Sequence, residues 1–94
     1  MRTIERSSAF KRDYKRIKAT PQHRHTVDAL LRATLAWLAN DEPLPEHLRD
    51  HPLSGTWSNY RECHLKPDLL LIYRKADPET LRLARLGSHS ELFD

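Results

Sequence analysis

The chain has a single cysteine, Cys63, in 94 residues. One thiol forms no internal disulfide, and it removes every zinc motif built on paired cysteines. No apolar run approaches the length of a membrane span, and the opening MRTIERSSAFKRDYKRIK lacks the apolar stretch of a secretory signal. The expected setting is therefore reducing and cytoplasmic, without membrane contact. Internal repeats and low-complexity tracts are also missing, and nothing marks a second domain. A chain of this length builds one modest core, too small to enclose a deep substrate cavity, so any active site is shallow.

Acidic residues are scarce in the first forty positions. Nine Lys/Arg (Arg2, Arg6, Lys11, Arg12, Lys15, Arg16, Lys18, Arg24, Arg32) stand there against Glu5, Asp13 and Asp28, while the remainder holds seven against ten. Basic charge concentrated in one part of a chain of net charge +3 points to a polyanionic partner, although basic residues also simply solvate helix faces.

The segment TIER reads as a short edge strand. Phe10, Tyr14 and Ile17 then form one apolar stripe on an otherwise basic helix capped by Ser7 or Ser8. Pro21 interrupts it. Thr20 suits the next N-cap with Pro21 at the first helical position, and Val27, Leu30, Leu31, Thr34, Leu35 and Leu38 carry a second stripe to about Asn40. The stretch NDEPLPEHLRDHPLSGTWSN, with three prolines and a glycine, keeps neither period and reads as a long loop. Three strand-like runs follow, YRECHL, DLLLIYR and TLRLARL, separated by short turns, and an antiparallel meander joins them most simply. The expected fold is α+β: a small twisted antiparallel sheet packed on two N-terminal helices, in the order β-α-α-β-β-β with a short C-terminal helical turn.

A meander has a chemical consequence. His64 ends the first run, Asp68 opens the second and His89 follows the third, so all three gather at one end of the sheet. Strand alternation puts His64 on the face of Tyr60 and Glu62 and Cys63 on the other, so Cys63 is a poor candidate. His51, in RDHPLSG, reaches the same end if the loop folds back along the first run; His23, His25 and His47 are assigned to the surface. Imidazoles titrating near neutrality can divide the roles of base and acid, with a carboxylate fixing a tautomer. Arg85 faces the side of Leu81 and Leu83 unless its strand bulges, in which case it turns outward and, with Arg61, suits the charge of a phosphoryl transition state. A zinc site ranks below acid–base chemistry, since no single element carries paired His or Cys spacing. In GSHSELF, Ser88 and Glu91 have capping-box spacing, Leu92 can anchor the turn, and Phe93 either packs or stacks on a base.

Asp50 to Phe93, in DHPL.G.W..YR..H..PD...IY and the closing R.G.H..LF, resembles the YafQ-type branch of the RelE/ParE toxin superfamily, the ribosome-dependent mRNA interferases of bacterial type II toxin–antitoxin systems. The resemblance is weaker over the first forty residues, where FKRDYK and the two-helix order agree. It implies catalytic roles for His51, His64, Asp68 and His89, with Phe93 aiding substrate placement, and cleavage of mRNA in the ribosomal A site without a cofactor or metal. The implied partners are a cognate antitoxin, the ribosome with its mRNA, and operator DNA only as the toxin–antitoxin complex. A ParE-like toxin that binds a protein such as DNA gyrase would share the fold but has no need of the histidine cluster.

Overall fold

The runs after residue 60 pair as a meander. In a computed structural model that describes residues 1–93, β3 (Arg61–Lys66), β4 (Leu69–Asp77) and β5 (Thr80–Gly87) are successive antiparallel neighbours. Two shorter strands extend the sheet to five, in the order β1-β5-β4-β3-β2. One is β2 (His51–Pro52), antiparallel to β3, so the proline-rich loop does fold back along the first run. The other is β1 (Thr3–Arg6), which lies parallel to β5. The sheet is therefore mixed rather than wholly antiparallel. After β1 the chain passes through two helices and strands β2 to β4 before β5 arrives beside it in the same direction, as a crossover connection does.

Helix α1 (Ser8–Lys18) is capped by Ser7, whose Oγ accepts the Phe10 N–H at 2.9 Å. Its stripe buries Phe10 and Ile17 and half-buries Tyr14. Helix α2 (Val27–Ala39) starts later than the Thr20–Pro21 signal implies. Residues 20–26 make only successive turns, because the polar stretch Gln22–His25 has nothing to bury until Val27, which is fully enclosed. Leu31, Thr34, Leu38 and Ala39 of α2 join Phe10, Ile17, Leu71, Tyr73, Leu81, Leu83 and Leu86 beneath the helices. Cys63 lies in this core, and burial, with the nearby Asp50 and Glu62 charges, pushes its thiol up to about 12. It is inert at neutral pH.

The opposite sheet face carries a smaller apolar cluster. Leu70, Ile72, Ala84 and Leu92 are buried there under Leu53, Trp57, Tyr60 and Phe93. Leu92 and Phe93 belong to α3 (His89–Phe93), whose Ser88–Glu91 capping box forms in both directions: Glu91 Oε1 accepts the Ser88 N–H at 2.8 Å and Ser88 Oγ accepts the Glu91 N–H at 3.1 Å.

β1 pairs with only the first half of β5, so the edge from Ala84 onward needs another cover. Helix α1 supplies it. Ser7 Oγ donates to the Ala84 carbonyl at 2.8 Å, Asp13 accepts the Leu86 N–H at 2.9 Å, and Arg16 donates to the Leu86 carbonyl at 3.1 Å. No helix among the described residues is long and apolar enough to cross a membrane.

Candidate functional site

Alternation decides which residues of β3 meet the smaller cluster's face. Cys63 faces the helices; Glu62 and His64 face the other way, with Ile72 and Leu70 as their partners on β4. The two-residue strand β2 then sets His51 directly opposite Glu62. An imidazole on the neighbouring strand and another two residues along thus converge on one carboxylate. Glu62 Oε1 lies 3.1 Å from His64 Nε2 and 3.6 Å from His51 Nε2, and the two rings are 6.2 Å apart. Glu62 is buried, His64 half-buried and His51 exposed, so the cluster opens to solvent on the His51 side.

The turn before β2 orients His51. Arg49 adopts a left-handed conformation (φ +50°) that redirects the chain, and its carbonyl sits 2.8 Å from His51 Nδ1. A carbonyl only accepts, so Nδ1 carries the proton and Nε2 is left facing Glu62. By the same rule His64 presents an N–H at Nε2 to the carboxylate and keeps a lone pair at Nδ1. Ligand atoms of His51, Glu62 and His64 all lie within 4.8 Å of one another, which lets the three converge on a metal ion. That donor set joins two residues of one strand, Glu62 and His64, to one of its neighbour, a pattern that counting paired histidines and cysteines misses.

The remaining sequence-derived residues distribute unevenly. His64, Leu70 and Gly87 form one row across β3, β4 and β5, which brings His89, two residues past Gly87, to the His64 end of the sheet. Its ring lies 5.0 Å from that of Phe93, which packs on the smaller cluster. Asp68 is exposed in the turn between β3 and β4, at the same end. Neither Asp68 nor His89 belongs to the tight donor group.

The two arginines are engaged elsewhere. A bulge in β5 at Ala84 turns Arg85 to the face of Ile72, as a bulge requires. Its guanidinium nevertheless reaches Asp13, with Nε donating at 2.6 Å. Arg61 faces the helix side, where Nη2 donates to Asp50 at 2.9 Å, and Asp50 also accepts the Tyr73 hydroxyl. That pairing holds the Arg61 guanidinium above its ordinary pKa. Both charges are already met by carboxylates.

Beside His64 lies a cleft of about 430 Å³, lined by His47, Arg49, Leu65, Lys66 and Pro67. His47 is exposed, in keeping with its surface assignment, and Arg49 and Lys66 carry no local signal of a site. Only the fold of the loop against β3 gathers them.

Fold and site together define a class: a small α+β scaffold whose sheet is packed by helices on one face and carries a histidine–carboxylate cluster on the other. The chain belongs to the YafQ family, described as "Bacterial toxin of type II toxin-antitoxin system, YafQ", whose family model matches residues 2–94. It is 40% identical over 93 residues to the mRNA interferase toxin YafQ of Escherichia coli K12, covering 98% of this chain and 96% of that protein. Among solved structures, a copper-bound mutant toxin from Helicobacter pylori superposes with a TM-score of 0.89 at 38% identity, over 99% of this chain and 100% of the other. YafQ in the E. coli DinJ–YafQ complex gives 0.82 at 38% identity over the whole of both chains. The protein is thus a toxin of a type II toxin–antitoxin system.

Proposed function

We propose that this toxin is a ribosome-dependent mRNA endoribonuclease that cleaves mRNA in the A site by histidine general acid–base catalysis, without a metal. The observation that carries the reading is the convergence of His51 and His64 on the buried Glu62, on the sheet face away from the helices. The 2′-hydroxyl attacks the adjacent phosphorus in line, the P–O5′ bond breaks, and a 2′,3′-cyclic phosphate and a 5′-hydroxyl result. One imidazole of the His51–His64 pair takes the 2′ proton, and Glu62 stabilises the cation so formed, as the carboxylate of a catalytic triad does. His89 delivers a proton to the departing 5′ oxygen. Each transfer contributes on the order of a hundred- to ten-thousandfold. Asp68 assists proton movement at the hairpin end, and Phe93 stacks on a base.

Because Arg61 and Arg85 are committed to carboxylates, charge for the flanking RNA comes from Arg49 and Lys66 in the cleft beside His64. A shallow site does not impose in-line geometry on flexible RNA, and the ribosome supplies that orientation. Exposed Lys11, Arg12 and Lys15 on α1 dock on ribosomal RNA. The toxin works in the cytoplasm and is neutralised by an acidic antitoxin, as the E. coli relative is complexed with DinJ; the pair, not the toxin alone, contacts operator DNA.

The test is cleavage mapping on programmed ribosomes and on the same mRNA free in solution. Cutting confined to the A site of programmed ribosomes is expected, and no cutting in either case overturns the proposal in favour of a toxin that acts by binding a protein. Reversing charge at Lys11, Arg12 or Lys15 should weaken ribosome binding and lower its salt slope by about one per site. Unchanged binding would remove the docking role.

The H. pylori relative bound to copper bears on metal use. Held by His51, Glu62 and His64, a transition-metal ion would occupy the lone pairs that proton transfer needs, and so act as an inhibitor. Adding zinc or copper ions to the ribosome assay should suppress cleavage, and a chelator selective over magnesium should restore it. Stimulation by the metal would overturn metal independence.

A further inference from the structure

Arg16 reads in the sequence as one more cation of a basic helix, yet all three of its guanidinium nitrogens are committed. Nε lies 2.9 Å from Glu91 Oε2, Nη1 donates to Asp13 Oδ1 at 2.8 Å, and Nη2 donates to the Leu86 carbonyl at 3.1 Å. The side chain thereby ties three elements together: its own helix, the end of β5, and α3. Glu91 divides its two oxygens to match. Oε1 closes the capping box with Ser88 and Oε2 faces Arg16.

Gly87 lies between them. A Cβ there would meet Arg16 Nη2 at 2.9 Å, Glu91 Oε1 at 2.9 Å and Leu92 Cδ2 at 3.3 Å, so a side chain at this position would push the two ends of the clamp aside. Helix α3 has five residues, far fewer than a helix needs to persist alone. Its capping box shapes the turn but does not aim it. Beyond the burial of Leu92 and the packing of Phe93, the Arg16–Glu91 pair is its ionic tie to the body of the fold.

We propose that Arg16 is a positioning residue: by pinning Glu91 it sets the orientation of the start of α3 and so places His89 at the His64 end of the sheet, while Phe93 is held by its own packing on the smaller cluster. The inference rests on the reading of His89 as a reacting group. It also separates Arg16 from Lys11, Arg12 and Lys15, the docking cations of the same helix. Side-chain exposures of 39% and 40% make the pair too solvated to matter much for global stability. Its effect belongs in the rate instead.

Single-turnover cleavage on programmed ribosomes, with toxin in excess, separates the maximal rate from the half-saturating concentration. Glu91→Gln keeps an acceptor for the Ser88 N–H but removes the charge facing Arg16, so it tests the clamp without breaking the capping box. In Glu91→Gln and Arg16→Ala the maximal rate should fall by about ten- to a hundredfold, with half-saturation unchanged. Exchange of the Leu92 amide, which bonds to the Ser88 carbonyl at 3.1 Å, should accelerate. Because Arg16 acts through His89, adding Arg16→Ala to His89→Ala should not lower the residual rate further. A wild-type maximal rate in both single variants, a loss confined to half-saturation, or additive losses in the double variant would each overturn the proposal. Full cleavage by His89→Ala would instead overturn the role of His89 itself, with the clamp's exchange signature still readable.

Discussion

Replacing Glu62 by Gln should slow A-site cleavage by about a hundredfold or more, approaching the loss expected of His64→Ala. Glu62 touches neither RNA nor leaving group in this reading. It is buried, and a single oxygen of it serves two imidazoles on adjacent strands. A neutral amide of the same shape presents either a carbonyl or an NH₂ there. In the first case the charge that stabilises an imidazolium is gone; in the second, the NH₂ opposes the His64 Nε2–H and offers an imidazolium no acceptor. Glu62→Gln also keeps the volume that packs against β4, so folding should survive, and thermal unfolding monitored beside the rate separates the two effects. A Glu62→Gln variant that cuts at the wild-type rate would reduce Glu62 to a structural role and leave His51 and His64 uncoupled.

Asp13→Ala should destabilise the fold by about 3–5 kcal/mol, the range for removing one partner of a buried charge pair. Asp13 is only 3% exposed and accepts from Arg85, Arg16 and the Leu86 N–H at once. Its loss leaves a guanidinium and an edge amide without partners. Burial alone would raise the Asp13 carboxyl, but the hydrogen bonds from Arg85, Leu86 and Arg16 outweigh it, and the net shift is downward from 3.8. A carboxyl lowered in the folded state contributes stability that is fully present above the unfolded value and is lost as pH falls through the folded one. Denaturant unfolding measured from pH 7 to pH 2 should therefore show wild type losing stability below about pH 4 more steeply than Asp13→Ala, with the two curves converging in acid. Parallel curves would mean that Asp13 does not carry the charge pairing assigned to it.

How much of this could be read without coordinates depends on how local each signal is. The faces of β3 were legible because alternation has a period of two and tolerates no compromise: Cys63 in the core forces Glu62 and His64 out of it. The gathering of His64, Asp68 and His89 followed from short turns alone. Glu62 shares the face of His64 but carries no local mark of a site, since a carboxylate in a strand usually faces water; the converging His51 is what gives it a role. Asp13 also left a trace. With Phe10, Tyr14 and Ile17 it falls on the stripe that α1 buries, an acid at an apolar position, and such a residue must have partners. Of those partners Arg16 is one turn away, but Arg85 and the Leu86 N–H lie more than seventy residues on, Arg16 itself reaches seventy or more residues to β5 and α3, and no local pattern encodes these long-range pairs. The parallel direction of β1 was hidden for the same reason.

Strand β2 consists of two residues, both exposed, and through it His51 reaches Glu62. Segments this short open with little free energy, well below that needed to unmake the helix-backed core. Local opening of β2 and unfolding of the core are therefore separate events. With His51 as a reacting group, cleavage should fade on warming below the thermal unfolding transition and return on cooling without refolding, and a rate that holds up to the transition itself would tie His51 to the core.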